Sequence, residues 1–471
     1  MIPITEYAGR DVAVFGLGRT GLSAAKALKA GGARVHAWDD NEDTRRKAEA
    51  AGLTLSDINK RDWQTFAALV LSPGIPYKFP QPHRIVRMAE MTGVPIVGDM
   101  ELFARAVQSL PERGRPKIVG ITGTNGKSTT TALIGHILKQ AGRDARIGGN
   151  IGTGVLDLAA LHANAIYVLE LSSYQLDLVK SLHCNVAVLL NISPDHLDRH
   201  GGMEGYQAAK MRIFQNQTER DTAVVGFDDV ITQSIAIGLA ARGPARVVQV
   251  SSSYALGRGV SAVDGRLYDS NSGNAIFVGN LAECAALPGK HNHQNAVAAY
   301  AACRALGLDP QTIMEGLRTF PGLAHRMERV AEIEGVRFIN DSKATNAQAA
   351  EQALKSYDNI YWIAGGVPKA DGIGPLTPYF PRINKAYLIG EAEEAFAATL
   401  KGKVPTQGCG TLENAVQAAF RDARNAGIDH PVILLSPACA SFDQFRDFEH
   451  RGDTFRSIVE AMMPTELREL A

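Results

Sequence analysis

The stretch that decides the fold is KIVGITGTNGKSTTTALIGHILKQAG, residues 117–142. It reads as an apolar β run, a glycine-rich turn and a helical pattern, which is the order of a phosphate-binding loop. The usual spacing is G-x-x-x-x-G-K-[ST]. Here Gly120, Gly123 and Gly126 give G-x-x-G-x-x-G-K-S, with Ile121 where the usual pattern has glycine. The order of elements predicts a nucleotide loop, and the altered spacing raises the question of which kind.

Three side chains that follow the last glycine supply the chemistry of this loop. Lys127 can reach terminal phosphates, and Ser128 or Thr129 can offer a hydroxyl to Mg²⁺. The glycines allow backbone N–H groups to approach phosphate oxygens closely. The alternative is a glycine-rich turn that carries a lysine by chance. The order of strand, loop and helix favours binding of a nucleoside polyphosphate.

The rest of the chain repeats the alternation of β runs and helical stretches. Residues 11–18 and 68–76 are apolar β runs, and such alternation indicates βαβ units on a parallel sheet. A polar stretch with two prolines, 109–117, is interpreted as a linker, and a third alternating block begins near residue 320. We predict an α/β protein of three domains in series: a Rossmann-like N-terminal domain, a central P-loop ATPase-like domain and a Rossmann-like C-terminal domain, at 1–113, 114–321 and 322–471.

Composition limits the functions of the chain. Its 471 residues exceed what one hydrophobic core organises, and 49 Lys and Arg balance 49 Asp and Glu, so no overall field favours nucleic acid or anionic lipid. The five cysteines are scattered and never spaced C-x-x-C, which argues against a disulfide framework and a zinc site. No signal-peptide pattern and no membrane-spanning apolar run is present. We expect a cytoplasmic monomer without a nucleic-acid partner or membrane insertion.

A second glycine pattern lies near the start of the chain. Gly16, Gly18 and Gly21 form G-x-G-x-x-G between a β run and a helical stretch, and Asp39 and Asp40 end the next β run. A helix N-terminus at this point offers N–H groups to a diphosphate, and an acid at this spacing holds a ribose hydroxyl. The pattern predicts a nucleotide or sugar-diphosphate site. A redox dinucleotide and a plain tight turn are the alternatives.

Polar groups follow two apolar β runs of the middle block. Glu170 ends AIYVLE, where a carboxylate beside a phosphate loop is placed to hold Mg²⁺ directly or through water. The next run is followed by NISPDHLDRH, whose Asp195, His196, Asp198 and His200 raise a transition-metal cluster as an alternative. Because this stretch lacks H-E-x-x-H and cysteine ligands, we favour a strand-end histidine near Mg-nucleotide, with His200 as a loop histidine.

The pattern changes after these runs. Residues 222–288 read as short β-like runs separated by turns, and 287–307 reads as a helix. The start of that helix, HNHQN, carries several amide and imidazole groups. Capping accounts for one of them, Asn292, and an adenine or ribose site would account for the others.

The third block adds three candidate stretches. Arg326 lies at a domain junction, where a guanidinium can recognise phosphate bidentately. NDSKATN (340–346) and SPACASFDQF (436–445) each follow a β run, and ligand crevices form at such positions in α/β sheets. Capped βα turns are the alternative for both.

The order of the motifs resembles the Mur ligase family of amide-bond-forming enzymes. The phosphate loop of that family is itself written G-T-N-G-K-[ST], which matches the glycine spacing of this chain. The resemblance extends from about residue 11 to 456, and GLGRTG with the third-block motifs is closest to members that add D-glutamate. The motifs that carry it are GTNGKSTT, ELSSYQL, NISPDHLDRH, YQAAKMRIF, GKHNHQNAVAA, AHRME, NDSKATN and SPACASFDQFRDFEHRG.

The resemblance implies an ATP-dependent ligation in peptidoglycan precursor synthesis. D-glutamate would be joined to UDP-N-acetylmuramoyl-L-alanine through an acyl phosphate and a tetrahedral intermediate, with release of ADP and phosphate. The resemblance also implies two Mg²⁺ ions and a CO₂-derived carbamate on Lys210. Periodicity alone gives Lys210 no role, because it lies in an amphipathic helical stretch.

Site residues follow from the resemblance position by position. Catalytic roles are implied for Lys127, His196, Lys210 and Arg326. Metal contacts are implied for Ser128, Glu170, His196 and Lys210. ATP contacts are implied for Gly123, Thr124, Asn125, Gly126, Lys127, Ser128, Thr129, Asn292, Asn295, His325, Arg326 and Asp341. Contacts with the UDP-linked substrate are implied for Arg19, Thr20, Asp39, Asp40, Asn41, Gly74 and Asn150, and with D-glutamate for Lys343, Thr345, Lys369, Ser441 and Phe448.

Two stretches depart from the family pattern. GGVPKADG (365–372) has Val-Pro before Lys369, where we expect a form nearer GGDGKSADF, so the path of this loop is open. VVGFDD (224–229) replaces a version that contains asparagine, which leaves any ribose contact there open.

Three other functions compete with the leading interpretation. A folylpolyglutamate-type ligase would lack the N-terminal uridine-diphosphate domain. A NAD-dependent dehydrogenase would leave the phosphate loop and NDSKATN without a role. A non-catalytic nucleotide-binding module would not need Glu170, His196 and Lys210 together.

Overall fold

The computed structural model describes residues 1–369 and 372–463. The chain divides into two compact units. The first contains residues 1–284 and 290–320, and the second contains residues 285–289 with the described residues from 321 onward. The first unit carries two sheets and the second carries one.

The N-terminal sheet is parallel and has the strand order β2-β1-β3-β4. The chain leaves β1 for β2 on one side and returns to β3 on the other, so a crevice opens beyond the carboxyl ends of β1 and β3. The strands are β1 Asp11–Phe15, β2 Arg34–Trp38, β3 Phe66–Leu71 and β4 Ile96–Val97. The helices are α1 Arg19–Ala30, α2 Glu42–Ala50, α3 Arg84–Thr92 and α4 Asp99–Gln108.

The central sheet has the order β13-β12-β11-β10-β9-β8-β5-β7-β6. Its strands from β6 to β11 run parallel, and β11, β12 and β13 form antiparallel pairs. The strands are β5 Lys117–Thr122, β6 Asp144–Gly149, β7 Ala165–Glu170, β8 Val186–Leu189, β9 Thr222–Gly226, β10 Arg246–Ser251, β11 Val260–Val263, β12 Arg266–Asp269 and β13 Ile276–Asn280. The helices are α5 Lys127–Gln140, α6 Ser173–Asp177, α7 Leu197–His200, α8 Met203–Met211, α9 Val230–Arg242, α10 Lys290–Ala305 and α11 Pro310–Arg318.

Helix α9 corrects the prediction of only β-like runs between residues 222 and 288. Its apolar residues lie on several sides, since Ile235 and Ala236 are buried while Val230 and Ile237 are exposed. Such a helix gives no clear 3.6-residue period, and the sequence pattern therefore failed there. No helix in the described ranges is long and apolar enough to cross a membrane.

One hydrophobic core joins the N-terminal and central sheets. Val14 of β1 and Leu169 of β7 are both fully buried in it. Phe103 of α4 contacts Tyr167 of β7, with ring centroids 5.2 Å apart. This shared core holds the carboxyl ends of the two sheets in a fixed relation.

The sheet of the second unit has the order β14-β15-β19-β16-β17-β18. It is parallel except for β14, which pairs antiparallel with β15 and which the sequence pattern did not predict. The strands are β14 Glu328–Ile333, β15 Val336–Asn340, β16 Ile360–Gly365, β17 Ile383–Ile389, β18 Thr406–Gly410 and β19 Val432–Leu435. The helices are α12 Ala347–Ser356, α13 Glu393–Leu400, α14 Leu412–Asn425 and α15 Phe448–Met462.

Candidate active site

The glycine-rich loop lies at the carboxyl end of β5, between β7 and β8. Gly126 precedes α5 with a φ of +83°, and a Cβ there would lie 2.2 Å from Oδ1 of Asn295. Only glycine fits this position without a shift of backbone or neighbour. Lys127 Nζ donates to the carbonyls of Gly123 and Thr124, at 3.0 and 2.7 Å. The loop is therefore closed on itself and followed by a helix N-terminus, as a phosphate site requires.

Two residues that the sequence did not single out brace this loop. The Asn125 N–H donates to Oδ1 of Asn191 at 2.8 Å, and Thr124 Oγ1 donates to the Ser193 carbonyl at 3.1 Å. Both partners follow β8, so neighbouring strand ends fix the loop conformation. Their position directly after an apolar run was the available sequence signal.

Glu170 ends β7 beside the loop, paired in register with Ile121 of β5. Its side chain is buried, and Oε1 accepts from Nδ2 of Asn150 at 2.7 Å. Its Oε2 is also buried and has no hydrogen-bond partner among the described residues. A buried carboxylate oxygen without a donor is costly unless a cation neutralises it. The donor set therefore fits a hard, oxygen-preferring cation such as Mg²⁺.

Lys210 of α8 is only 1% exposed. Its Nζ donates to the Gly123 carbonyl at 2.7 Å and lies 4.6 Å from the ring centre of Tyr206. Burial, with a smaller effect of the nearby Lys127 charge, lowers the pKa of Lys210 to about 6. The lowered pKa favours the neutral amine at pH 7, and the hydrogen bond to Gly123 holds the side chain against the phosphate loop.

His196 adopts left-handed backbone geometry, with a φ of +52°, at the start of α7. Such geometry is strained for a side chain other than glycine and is concentrated at functional sites. Its ring lies 5.0 Å from that of Tyr174. His200, in contrast, is buried, with contacts to Ser173 Oγ at 2.9 Å and Asp177 Oδ2 at 3.1 Å. His200 is therefore a structural residue of α7 rather than a loop histidine.

The transition-metal alternative receives no support. Within residues 1–369 and 372–463, no group of three or more His, Cys, Asp or Glu is arranged to hold a metal ion. Asp195 and His196 approach each other at 3.5 Å, while His200 is engaged elsewhere. The four polar residues of NISPDHLDRH thus do not act as one cluster.

The first glycine pattern is a tight turn at the carboxyl end of β1. A Cβ on Gly21 would lie 1.8 Å from the Gly16 carbonyl oxygen, so this close approach requires glycine. Asp39 accepts from the Leu17 N–H at 2.6 Å and from the Asn41 N–H at 2.8 Å. Its carboxylate therefore shapes the turn in addition to any role toward a ligand.

The other residues predicted for this site have partners of several kinds. Arg19 donates to the Asn150 carbonyl at 2.9 Å, which links the N-terminal and central sheets. Asp40 forms an ion pair with Arg84 at 2.5 Å, and its Oδ2 lies 3.2 Å from Nε2 of His83. Asn41 caps α2 by accepting from the Thr44 N–H.

One cavity of about 480 Å³ brings the two glycine patterns together. Its walls come from the carboxyl ends of both sheets in the first unit. Predicted residues that line it are Gly16, Gly18, Arg19, Thr20, Asp39, Gly74, Lys127, Asn150, His196 and Lys210. Lining residues without a role in the sequence prediction are Ser72, Pro73, Ile75, Ser172, Ser173, Tyr174 and Tyr206. Ser172, Ser173 and Tyr174 directly follow the β7 strand end, which was the signal that could have found them.

The Asn-rich start of α10 is not capped by Asn292, contrary to the prediction. Helix α10 begins at Lys290, so Asn292 lies inside its first turn and is not its cap. Oδ1 of Asn292 accepts from Nδ2 of Asn295 at 3.1 Å, and Thr130 Oγ1 donates to Oδ1 of Asn295 at 3.3 Å. Asn295 thus contacts the first turn of α5, next to the phosphate loop, and Asn292 orients the Asn295 amide.

In the second unit, three loops meet beyond the carboxyl ends of β15, β16 and β19. Ser436 Oγ donates to Oδ2 of Asp341 at 2.8 Å, and Val367 and Ala440 exchange backbone hydrogen bonds of 2.9 and 3.1 Å. Burial raises the pKa of Asp341 to about 7. The loop with Lys369 is thereby tied to the loop after β19, while residues 370 and 371 of GGVPKADG lie outside the described residues.

Arg451 of α15, which sequence reasoning missed, connects two of these loops. It is 1% exposed and donates to Ser342 Oγ and to the carbonyls of Ser342 and Cys439, at 3.0, 2.8 and 3.1 Å. Burial lowers its pKa to about 10, so it stays charged. No ion pair with a carboxylate forms within the described part of the chain. An arginine in an amphipathic helix gave no signal of burial.

The residues predicted for the second unit lie around these loops. Lys343 Nζ is 4.5 Å from the ring centre of Phe448, and Ser441 is buried, while Lys369 is exposed. His325 is buried in left-handed geometry with a φ of +62°, and Lys343 N–H donates to its carbonyl at 3.1 Å. Thr345 lies two residues after Lys343, and Arg326 directly follows His325.

Three family profiles match successive parts of the chain. Residues 10–98 match the Mur ligase MurD-like N-terminal domain, residues 121–303 the Mur ligase middle domain, and residues 325–439 the Mur ligase glutamate ligase domain. The three profiles follow the order of the three sheets.

Full-length relatives are similar to this chain over nearly all its length. The UDP-N-acetylmuramoylalanine--D-glutamate ligase of Phenylobacterium zucineum is 58% identical over 98% of both chains. The relative of the same name from Rhodospirillum rubrum is 52% identical over 99% of this chain and 97% of its own.

Solved structures share the fold at low identity. The UDP-N-acetylmuramate-alanine ligase MurC of Thermotoga maritima superimposes with a TM-score of 0.59 at 16% identity, covering 96% of this chain and 100% of its own. A pseudomurein peptide ligase type C of Methanothermus fervidus superimposes with a TM-score of 0.55 at 18% identity, covering 97% of this chain and 100% of its own. These likenesses concern the fold alone. From the profiles and the full-length relatives together, the chain belongs to the Mur ligase family.

Proposed function

We propose that the protein is an ATP-dependent ligase that joins D-glutamate to UDP-N-acetylmuramoyl-L-alanine. The observation that carries the proposal is the cavity of the first unit, in which Lys127, His196 and Lys210 line the same space as the G-x-G-x-x-G turn. The residues proposed to activate phosphate and the turn proposed to bind a nucleoside diphosphate therefore share one cavity, which supports the proposal. The relatives at 52–58% identity carry the name of this ligase, which supports the choice of substrates.

The first step activates the carboxylate of the L-alanyl group. A carboxylate oxygen attacks the γ-phosphorus of ATP, the bond to the β-phosphate oxygen breaks, and ADP leaves. Two anions meet in this step, so cationic groups must neutralise them. We assign this role to Lys127, whose Nζ lies beside the carbonyls of the phosphate loop.

The second step forms the amide. The deprotonated amine of D-glutamate attacks the acyl carbon, and the tetrahedral intermediate collapses as the C–O bond to phosphate breaks and the nitrogen loses a proton. Lys343 and Lys369 of the second unit offer charges that suit a dicarboxylate. Ser441, Thr345 and Phe448 complete this proposed glutamate site. The amine acceptor and the activated carboxylate therefore use different parts of the chain.

Glu170, His196 and Ser128 are the residues that would hold Mg²⁺. The buried Glu170 Oε2 without a hydrogen-bond partner is the feature that supports this assignment. When bound, Mg²⁺ supplies positive charge that stabilises the phosphoryl oxygens in the transition state. Asn150 fixes the orientation of the carboxylate through the hydrogen bond to Oε1.

Lys210 is proposed to carry a carbamate. A neutral amine reacts with CO₂ to form the N–C bond with loss of a proton, and burial keeps this lysine neutral at pH 7. The product is a carboxylate, which can complete the magnesium site. The short contact of Lys210 Nζ with the Gly123 carbonyl supports a position for that carboxylate next to the phosphate loop.

The test is release of phosphate from ATP with purified protein, Mg²⁺ and UDP-N-acetylmuramoyl-L-alanine. We expect turnover with D-glutamate and none with L-glutamate, L-alanine or meso-diaminopimelate. Equal turnover with another amino acid, or none with D-glutamate, would contradict the proposal. Titration with NAD(H) should give no fluorescence change, whereas saturable binding would favour a dehydrogenase.

A further inference from the structure

Arg199 of α7 reaches from the central sheet to the loop that follows β3 of the N-terminal sheet. Its Nη1 donates to the Gly74 carbonyl at 3.1 Å, and its Nη2 donates to the Pro73 carbonyl at 3.4 Å. Pro73 and Gly74 both line the cavity. A side chain outside the predicted site therefore determines how this wall of the cavity is presented.

The planarity of the peptide bond gives this contact a direction. The Pro73 carbonyl and the Gly74 N–H belong to one peptide group, and in a trans peptide they point in opposite directions. With the carbonyl turned toward Arg199, the Gly74 N–H points away from it. No hydrogen-bond acceptor for this N–H is present among the described residues. The arrangement leaves a donor available to an anionic ligand on that side.

The same guanidinium also packs on Tyr174, another residue that lines the cavity. Its Cζ lies 4.6 Å from the ring centre of Tyr174, which lines the cavity and contacts the His196 ring at 5.0 Å. Arg199 is three residues beyond His196, within the single turn of α7. A planar guanidinium can stack on an aromatic ring and donate in its own plane at once, which an ammonium cannot.

Phe79 adds a second contact between the same two segments. A Cβ on Gly201 would lie 2.6 Å from the Phe79 ring, so the ring fits against the backbone just beyond α7. The loop at 73–79 is thus held to α7 at both of its ends. Arg199 provides the polar contact and Phe79 the apolar one.

We propose that Arg199 is a positioning residue that orients the Gly74 N–H toward the diphosphate of the UDP-linked substrate while it holds Tyr174 against His196. This role rests on the proposed function. It predicts that loss of Arg199 weakens uridine-diphosphate binding more than ATP binding, because the phosphate loop uses other supports, Asn191 and Ser193.

The test compares Arg199→Met, Arg199→Lys and a matched control, Arg212→Met. Arg212 is also partly buried and also donates to a main-chain carbonyl, that of Val179, at 2.6 Å, but it does not line the cavity or contact a lining residue by these bonds. Binding of UDP alone is measured by calorimetry, and KM for each substrate is measured by phosphate release.

We expect Arg199→Met to weaken UDP binding and raise KM for the UDP-linked substrate by about tenfold or more, since a charge-assisted contact is lost. KM for ATP should stay within about twofold, and Arg212→Met should change neither value. Arg199→Lys should remain impaired because it cannot donate twice and stack. If Arg199→Met does not fold, the UDP binding and KM values of Arg199→Lys test the positioning role instead.

Three results would overturn the inference. Folded Arg199→Met and Arg199→Lys that bind UDP as the wild type does would exclude the positioning role while leaving the ligase assignment intact. A wild-type protein that does not bind UDP at all would contradict the uridine-diphosphate site and this role together. Equal rises in KM for ATP and the UDP-linked substrate would indicate a general structural role instead.

Discussion

Each compact unit buries a basic side chain without a carboxylate ion pair among the described residues, and the two side chains differ in charge. Lys210 in the first unit and Arg451 in the second are both 1% exposed. Burial lowers the pKa of Lys210 to about 6 and that of Arg451 to about 10. At neutral pH the lysine is a free amine, while the arginine remains a cation. The same desolvation therefore yields a nucleophile in one unit and a fixed charge in the other.

The hydrogen bonds explain part of the difference. Arg451 donates to Ser342 twice and to Cys439 once, and these acceptors stabilise its delocalised charge. Lys210 donates to one carbonyl and lies near the Lys127 charge, which disfavours a second cation. Whether a buried base keeps its proton thus depends on the acceptors around it and on its intrinsic basicity.

The largest effect is expected from Lys210→Ala. If the neutral amine carries a carbamate, its loss removes a charged group from the reaction site and should lower ligase turnover by about 100-fold or more. A small carboxylate added to the buffer should restore part of the activity. Full activity of the variant would contradict the carbamate, and the exposed Lys139→Ala, measured in parallel, should keep activity within about twofold.

Arg451→Met tests the other half of the comparison. It leaves the buried carbonyls of Ser342 and Cys439 without their donor, which should destabilise the second unit by about 3 kcal/mol. Hydrogen exchange of the strands in that unit, followed by mass spectrometry, is the measurement. The exposed Arg446→Met should change stability by less than about 0.5 kcal/mol. Unchanged exchange in Arg451→Met would show that the guanidinium is not structural.

Arg451→Lys should give the second unit a buried lysine with a lowered pKa, like Lys210 in the first unit. A lysine buried there should have a pKa below its unfolded value, so the unfolded state binds more protons between the two values. The stability of the second unit should then rise with pH, by up to about 1.4 kcal/mol per pH unit, from near pH 6 upward. The wild type should lack this slope, since Arg451 stays charged below about pH 10. A flat profile in the variant would show that the acceptors, and not the side chain, decide the charge.

The smallest effect concerns backbone strain near each of the two buried basic side chains. Ala438 next to Cys439 has a φ of +55°, as His196 near Lys210 has +52°. Ala438→Gly should relieve this strain and stabilise the second unit by about 0.5–1 kcal/mol. Ala349→Gly in α12 should instead destabilise by about 1 kcal/mol, because helical geometry suits alanine. Loss of stability in Ala438→Gly would mean that the left-handed geometry carries no strain.

Local patterns predicted the positions of most strand ends and their loops. GTNGKSTT and GLGRTG each follow an apolar run, and each contributes residues to the cavity, Lys127 from the first and Gly16, Gly18, Arg19 and Thr20 from the second. Prediction failed for α9, whose apolar residues lack a period, and for Asn292, which lies inside α10. The domain boundaries at 113 and 321 and the individual ligand contacts remain predictions. Arg199, Tyr174 and Arg451 were missed because their roles depend on partners far along the chain.

The sequence by itself determined the α/β class, the two glycine loops and the family, because these follow from short-range order and from motif spacing. Tertiary structure decided the charge state of Lys210, since its acceptor, Gly123, lies 87 residues away and its burial needs the assembled core. It also decided that Arg451 joins two loops through Ser342 and Cys439, which lie 109 and 12 residues away from it along the chain. Desolvation is set by everything that packs around a group, and packing is a property of the fold rather than of any short stretch.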